Sequence, residues 1–163
     1  MNLELVPLDK ENLKEFKKHM QYAFQKGAMQ EFDATNEEIL PEKDIDESLK
    51  KKNSVALKAM FDGKMLGGAI VVINKKTGHN HLDFLYVKYG VQDKGIGKCI
   101  WKKIEKLYPQ TQIWETCTPY FEKRNIHFYI NCLGFHAVEF FNSQHRDTNL
   151  LENRIGKDYF FSF

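Results

Sequence analysis

Residues 82–98 read LDFLYVKYGVQDKGIGK and pass from an apolar run into a loop that holds two closely spaced glycines. Residues 82–87 have the composition of a buried strand. The residues that follow the loop place apolar side chains at helical spacing, which predicts an amphipathic helix over residues 95–108. The segment therefore predicts a strand, a glycine-bearing loop and a helix in direct succession. The apolar residues at helical spacing are Ile100, Trp101, Ile104 and Leu107.

The loop in this stretch has the properties of an anion-binding site. Glycine lets the backbone approach a ligand closely and adopt a positive φ, and Gly95 and Gly97 supply both features here. The first amides of the following helix have no partners within it and point outward, where the helix dipole favours negative charge. Lys94 and Lys98 add positive charge beside them. A diphosphate is the natural occupant of such a loop.

Two familiar nucleotide-binding patterns do not fit this loop. The dinucleotide fingerprint needs a third glycine and an acidic residue about 20 residues further on, and it follows the first strand of a parallel unit. The phosphate-loop pattern needs Ser or Thr after its lysine, whereas Cys99 follows Lys98. NAD and nucleoside triphosphates are therefore poor fits.

Length and composition predict one domain, residues 1–163, with no membrane span. The chain is 42% hydrophobic and 28% charged with a formal net charge of +2, which indicates neither a nucleic-acid nor a membrane partner. No apolar run reaches about 18 residues, and the start lacks the pattern of a secretory signal. Cys99, Cys117 and Cys132 match no metal spacing and indicate free thiols in a reducing compartment. We expect a cytoplasmic protein without a metal ion.

The rest of the chain alternates strand and helix patterns. Asp9 is predicted to cap the first helix and Gly27 to end it, and Asp62-Gly63 is a hairpin signal. Hairpins followed by two strand–helix–strand units imply an α/β fold of mixed α+β character, with a mostly antiparallel sheet and helices on both faces. The predicted strands are 2–8, 55–61, 65–73, 82–87, 112–116, 135–141 and 158–163, the helices 10–26, 44–52, 95–108 and 119–133, and the loop 142–157. The basic run at residues 50–52 is interpreted as a solvated helix end.

Two motifs, in this order, resemble those of the GNAT superfamily of N-acetyltransferases. Residues 92–97, QDKGIG, match its Gln/Arg-x-x-Gly-x-Gly/Ala signature. Residues 125–129, NIHFY, and then GF at 134–135 are similar to its second motif, with one residue more between the tyrosine and the glycine than is common. The resemblance covers nearly the whole chain. It implies a sheet splayed open between its fourth and fifth strands, here residues 82–87 and 112–116.

The resemblance also implies acetyl-CoA as co-substrate and assigns its binding residues. The pantetheine arm would pair with the backbone of Leu85 and Val87 in the splayed gap, Asn125 would hydrogen-bond to that arm, and Tyr129 would donate a proton to the departing CoA sulfur. From the residues alone, Tyr129 could also be a core tyrosine and Asn125 a capping or surface residue. The pyrophosphate would lie on the amides of Gln92, Asp93, Lys94, Gly95, Ile96, Gly97 and Lys98.

Acyl transfer to an amine also needs a proton acceptor, unless the amine arrives deprotonated. Glu115 is predicted on the strand that lines the gap, just before a turn at residues 117–119, and would take the proton directly or through water. Asp83 is predicted on the facing strand, on the same face as Leu85 if no bulge intervenes. Either carboxylate could instead be an ion-pair partner or an edge residue. The sequence leaves Glu115, Asp83 and no side-chain base as alternatives.

Two further features, the histidine pair at positions 79 and 81 and the cysteine at position 117, do not indicate a site. His79 and His81 would share one face of a strand, but no third ligand is evident, so a metal site is not expected. Cys117 lies near the expected gap without an activating histidine or helix start. The resemblance implies direct transfer between bound substrates, so a covalent intermediate on Cys117 is not expected.

Three functions remain compatible with the sequence. The first is an N-acetyltransferase that acts on a primary amine of a small molecule or peptide in a ternary complex. The second is a non-catalytic acyl-CoA-binding module, and the third is a phosphate-binding domain of another α/β family. The acidic residues between positions 31 and 38 would attract a cationic amine or form a solvated loop. A homodimer is compatible with the resemblance.

Overall fold

The structure, a computed structural model, describes residues 2–31, 38–91, 95–119, 139–141 and 160–162. It begins with β1 and two helices, continues through three antiparallel strands, and then has a helix and a fifth strand. Two short strands from the C-terminal part complete the sheet. The elements are β1 (Glu4–Pro7), α1 (Lys10–Glu31), α2 (Glu42–Lys50), β2 (Ser54–Phe61), β3 (Lys64–Val72), β4 (His79–Val87), α3 (Ile96–Leu107), β5 (Ile113–Pro119), β6 (Glu139–Phe141) and β7 (Phe160–Ser162).

The strands form one sheet in the order β1-β2-β3-β4-β5-β7-β6. The pairs from β1 to β4 are antiparallel, β4 and β5 are parallel, and β7 is antiparallel to both β5 and β6. The β2–β3 hairpin turns at Asp62 and Gly63, which have φ values of 52° and 75°. Positive φ at both central residues is typical of the type I′ turn that suits the twist of a hairpin. The predicted mixed, mostly antiparallel sheet is confirmed.

Helices cover both faces of the sheet, as predicted. On one face, α1 and α2 bury Phe16, Met20 and Ile45 against side chains of β3 and β4 that include Ile70 and Phe84. On the other face, α3 is buried against the same two strands through its apolar stripe. The stripe consists of Ile96, Ile100, Trp101 and Ile104, and its partners in the sheet include Ala69, Val71, Leu82 and Leu85.

Two glycines in β3 let the helices approach the sheet from opposite sides. A Cβ atom on Gly68 would lie 2.4 Å from Cε2 of Phe16 in α1. A Cβ atom on Gly67 would lie 2.5 Å from the carbonyl oxygen of Tyr86 and 3.1 Å from Cδ1 of Ile100 in α3. Since either side chain would force its neighbours apart, glycine fixes how closely both helices pack on the centre of the sheet.

Helix α1 begins as predicted but ends later. The N–H of Asn12 donates to the Asp9 carboxylate at 3.0 Å, which is the expected N-terminal cap. The prediction that Gly27 ends the helix is wrong, since α1 continues to Glu31. The returning chain attaches to the last turns of α1, where Gln25 accepts the N–H of Ile39 at 3.0 Å. One glycine costs a helix only about 1 kcal/mol, which such tertiary contacts outweigh.

Strand β5 also runs further than predicted. It continues through residues 117–119, where a turn was expected, because these residues pair with β7. Of the predicted strand at 135–141, the structure describes Glu139–Phe141 as β6. The predicted helix at 119–133 cannot include Pro119, which belongs to β5, and the rest of that prediction and the loop at 142–157 lie outside the described residues. No helix in the described part of the chain is long and apolar enough to span a bilayer.

Candidate functional site

The sheet opens between β4 and β5. The two strands pair over only four positions, from His79 opposite Ile113 to Leu82 opposite Thr116. At the last position the buried Thr116 hydroxyl donates to the Leu82 carbonyl at 2.8 Å. Beyond it, β4 stays paired with β3 as far as Val87, whereas β5 pairs with β7. Within the described residues, the edge of β4 that faces β5 thus has no strand partner from residue 83 to 87.

The backbone groups of Leu85 and Val87 point into this gap. The N–H of Lys88 donates to the Leu66 carbonyl at 2.8 Å, so Lys88 occupies a hydrogen-bonded position of the β3–β4 ladder. Hydrogen-bonded and non-hydrogen-bonded positions alternate along an antiparallel pair, which directs Tyr86 toward β3 and its two neighbours away from it. Leu85 and Val87 can therefore offer N–H donors and C=O acceptors to an extended ligand, as a strand does in β-augmentation.

The N-terminus of α3 lies beyond the open end of the gap. Gly95 is the N-cap in a left-handed conformation with φ 73°, and a Cβ atom there would meet nothing within 4 Å. The N–H of Cys99 makes the first helical bond to the Gly95 carbonyl at 3.0 Å. The amides of Ile96, Gly97 and Lys98 therefore have no carbonyl partner within the helix, which is the requirement for an anion site.

The other residues predicted to bind the co-substrate cannot be placed in this way. Gln92, Asp93 and Lys94, which complete the loop, lie outside the described residues, as do Asn125 and Tyr129. Their roles stay predictions from the resemblance. The geometry of the site therefore rests on the open edge of β4, the start of α3 and the closed end of the gap.

Asp83 is the extra residue of a β-bulge in β4. Ile70 lies opposite Phe84 and Val71 opposite Leu82, so no residue of β3 pairs with Asp83. The bulge reverses the alternation of side chains along the strand. Leu82 packs toward α3, as Leu85 does, whereas Asp83 points toward α2. The expectation that Asp83 shares a face with Leu85 is therefore wrong, because a bulge does intervene.

Three side chains hold the Asp83 carboxylate. Oδ2 accepts the Ser48 hydroxyl at 2.6 Å and the Lys51 ammonium at 2.9 Å, and Oδ1 lies 2.6 Å from Nδ1 of His81. The Asp83 side chain is 4% exposed. Burial opposes ionisation, but the hydrogen bonds from His81, Ser48 and Lys51 outweigh it and lower the pKa of Asp83 from 3.8 to about 2. A carboxylate with so low a pKa is a weak proton acceptor, so this environment does not favour Asp83 as the catalytic base.

Glu115 lies at the closed end of the gap on the same face as His81. It is exposed and pairs in register with His81, inside β5 rather than before a turn. Its neighbour Trp114 packs on Trp101 of α3 with ring centroids 5.1 Å apart, so Glu115 must face the α2 side. Its side chain is therefore exposed on the α2 side of the gap.

The sequence did not indicate the connection between α2 and β4. Lys51 was interpreted as part of a solvated helix end, yet it forms an ion pair with Asp83. Ser48 has no distinguishing pattern around it. The His81-x-Asp83 spacing was the available signal, because two residues at this spacing on a strand share a face. Within the ranges that the structure describes, no three His, Cys, Asp or Glu side chains group as metal ligands do.

The ionised Asp83 carboxylate should make the free energy of unfolding depend on pH. A carboxylate whose pKa falls from 3.8 to about 2 on folding contributes about 2 kcal/mol to the free energy of unfolding at neutral pH. This contribution is present above about pH 4 and is lost as the pH falls through 2. The variant Asp83→Asn should therefore be less stable than the unmodified chain by about 2 kcal/mol at pH 7 and by roughly half of that at pH 3.

Urea unfolding at the two pH values measures this difference. Asp62→Asn, in the exposed β2–β3 turn, is the matched control and should change stability little at either pH. A stability difference for Asp83→Asn that stays constant or grows between pH 7 and pH 3 would contradict the proposed ionised cluster.

Comparisons with known proteins agree with this geometry. Residues 17–135 match the model of the acetyltransferase (GNAT) family. The uncharacterized protein YrkN of Bacillus subtilis strain 168 is 44% identical over 151 residues, which make up 91% of this chain and 82% of YrkN. Among solved structures, PaiA N-acetyltransferase of Thermoplasma acidophilum in complex with coenzyme A has a TM-score of 0.69 at 19% identity, covering 99% of this chain and 98% of that one. Arabidopsis thaliana Naa50, bound to the bisubstrate analogue CoA-Ac-MVNAL, has a TM-score of 0.64 at 15% identity, covering 100% and 99%. The chain thus belongs to the GNAT family of acetyltransferases.

Proposed function

We propose that this protein is an N-acetyltransferase that transfers the acetyl group of acetyl-CoA to a primary amine of a small molecule or peptide. The observation that carries the proposal is the open edge of β4, where Leu85 and Val87 present backbone groups to the gap. That edge leads at one end to the free amides of α3 and at the other end to Glu115 and His81. An extended ligand with an anionic head and a reactive tail fits this order.

Among the described residues, β4 and the start of α3 would each bind one part of acetyl-CoA. Leu85 and Val87 would hold the amide groups of the pantetheine arm as a neighbouring strand would. The amides of Ile96, Gly97 and Lys98 would hold the pyrophosphate, assisted by the helix dipole. Gln92, Asp93, Lys94 and Gly95 would form the rest of the loop, and Asn125 would hydrogen-bond to the arm. Bound in this way, acetyl-CoA supplies an acetyl group already activated as a thioester.

The chain's own contribution to the chemistry is to place the amine and to move protons. Two substrates held at once in the gap allow direct transfer, because the amine can approach the acetyl carbon from the α2 side. Glu115 is exposed at the closed end of the gap and remains a candidate to accept the amine proton, directly or through water. Tyr129 would donate a proton to the departing sulfur. A cytoplasmic location and a homodimer also stay predictions.

Binding of acetyl-CoA and CoA should raise the melting temperature of the protein. A ligand of the native state at 100 times its Kd stabilises by about 2.7 kcal/mol, which for a chain of this size corresponds to roughly 5–10 °C. ADP and NAD, which carry a pyrophosphate without pantetheine, should stabilise much less. Thermal unfolding with each ligand measures the effect, and release of free CoA thiol in the presence of an amine panel measures transfer.

The outcome with the comparison nucleotides separates two of the alternatives. If ADP or NAD stabilised the protein as strongly as CoA, the chain would be a general phosphate-binding domain and the proposal would fail. If neither acetyl-CoA nor CoA changed the melting temperature, the assignment of the gap and of the α3 N-terminus would be wrong.

Replacing the predicted proton donor distinguishes an enzyme from a non-catalytic acyl-CoA-binding module. Tyr129→Phe should lower kcat by about 100-fold, since general acid catalysis typically contributes 10²–10⁴-fold. The melting-temperature shift with CoA should be unchanged, because the phenol hydroxyl acts on the sulfur rather than on the pyrophosphate or the arm. Steady-state kinetics with the best amine of the panel gives the comparison. Equal kcat values for the variant and the unmodified enzyme would exclude this role for Tyr129.

A further inference from the structure

We propose that His81 accepts the proton of the acceptor amine and that Asp83 is the residue that positions it. The proposal rests on the acetyltransferase function proposed above and names the group that prepares the amine for attack. It is carried by the contact between the His81 ring and the Asp83 carboxylate at the closed end of the β4–β5 gap.

The contact fixes the tautomer of His81. An ionised carboxylate has no hydrogen to donate, so Nδ1 of His81 must carry the hydrogen of the 2.6 Å bond to Oδ1 of Asp83. In the neutral imidazole the lone pair then resides on Nε2. Among the described residues Nε2 has no hydrogen-bond partner, and the His81 side chain is 41% exposed. The ring therefore keeps a basic nitrogen available to a bound molecule.

Hydrogen bonds to the other oxygen of Asp83 hold the carboxylate in place, and with it the orientation of the His81 ring. Ser48 and Lys51 in the last turn and C-cap of α2 both donate to Oδ2, while Oδ1 is left for His81. The bulge at Asp83 directs the carboxylate to the α2 side of β4, where His81 also lies. Burial of the carboxylate under α2 removes competing water, so the imidazole faces a fixed acceptor rather than a mobile one.

His81 lies where the reactive end of the co-substrate is expected. With the pyrophosphate at α3 and the arm along Val87 and then Leu85, the thioester points toward the closed end of the gap. Leu85 and His81 are four residues apart, which is about 13 Å along a strand. The part of the arm beyond Leu85 would extend toward His81, so an amine bound at the closed end of the gap would lie between the thioester and the imidazole.

Charged groups around His81 fit a cationic acceptor. Glu115 pairs with His81 across the strands and shares its face, so it would attract an ammonium group to the same place. Lys51 lies on the far side of the Asp83 carboxylate, with its charge engaged by Oδ2. His79 stands two residues earlier on the same face of β4 and is exposed. Glu115 and Asp83 thus favour a positive charge near His81, and Lys51 limits this effect.

An amine that arrives protonated gives one proton to Nε2 of His81, and its freed lone pair attacks the acetyl carbon. As the C–N bond forms and the C–S bond breaks, Tyr129, the predicted donor, would protonate the departing sulfur. The second proton that the amine nitrogen loses would then restore the phenol of Tyr129, directly or through water. The products are the N-acetylated amine and the CoA thiol. His81 then releases its proton to solvent.

Kinetics of matched variants tests the role of His81. With acetyl-CoA and an amine panel that includes spermidine and a short peptide with a free N-terminus, His81→Gln should lower kcat/KM by about 100-fold. For the unmodified enzyme kcat/KM is expected to fall toward acidic pH, and this fall should be absent in the variant. Asp83→Asn should lower kcat/KM about tenfold and shift that acidic fall, since an amide no longer fixes the tautomer. His79→Gln, the control on the same strand face, should change neither.

The results that overturn the proposal are distinct from failure of the proposed function. If His81→Gln kept kcat/KM within about threefold with an unchanged pH profile, His81 would not be the proton acceptor. If Glu115→Gln caused the 100-fold loss instead, the base would be Glu115. If the unmodified chain released no CoA thiol with any amine, the acetyltransferase function itself would fail.

A spectroscopic measurement tests the positioning role independently of activity. Long-range ¹H–¹⁵N correlation spectra at pH 8 should show His81 as the Nδ1–H tautomer in the unmodified protein. In Asp83→Asn the tautomers should become mixed, because the acceptor at Nδ1 is no longer a carboxylate. An Nε2–H tautomer in the unmodified protein would refute the inference.

Discussion

The unequal pairing of β4 is the constraint on which the rest of the structure depends. On one side β4 bonds to β3 along its length, and on the other it bonds to β5 over four positions only. Backbone donors and acceptors without partners are costly when they are buried, so an edge of this kind needs water or a ligand. Because the β3–β4 pairing directs Leu85 and Val87 outward, the fold itself prepares the edge for an extended amide-containing molecule.

The packing around β3 keeps that edge in place. Helix α1 contacts Gly68 from one side and α3 contacts Gly67 from the other, so the strand beside β4 is enclosed by two close helices. The same helix α3 begins with the free amides of the proposed pyrophosphate site. A single arrangement of sheet and helix therefore positions both halves of the site, and the distance between them follows from the lengths of β4 and the connecting loop.

The bulge at Asp83 gives the closed end of the gap its electrostatic character. By turning a carboxylate toward α2, it brings Ser48, Lys51 and His81 together around one buried charge. A strand without the bulge would place Asp83 toward α3, among the apolar residues that pack on Leu82. The ionised carboxylate then has two consequences, a contribution to stability that depends on pH and a defined orientation for the His81 ring.

Local patterns in the sequence were sufficient for most of the fold. The type I′ turn at Asp62 and Gly63, the cap at Asp9 and the strand–loop–helix order around Gly95 depend on neighbouring residues, and each is found where it was predicted. The predictions that were wrong depend on contacts between distant parts of the chain. The bulge in β4 and the continuation of β5 past residue 116 are set by pairing with distant strands, which periodicity within one segment does not report.

The candidate site, like the fold, could be predicted from the sequence only in part. Leu85 and Val87 could be named from the resemblance, and the β3–β4 hydrogen-bonding pattern supports their proposed role. The environment of Asp83 could not be predicted, because its partners Ser48 and Lys51 come from a helix about 30 residues earlier in the chain. Asn125 and Tyr129 rest on the motif alone.

Amide hydrogen exchange measured by NMR with and without CoA tests whether CoA binds along the open edge of β4. CoA should slow exchange at the N–H groups of Leu85 and Val87, which face the gap. The N–H groups of Phe84 and Tyr86, which already bond to β3, should show little further protection. Equal protection of all four amides, or none at Leu85 and Val87 under conditions where CoA is bound, would show that CoA does not pair with the edge of β4.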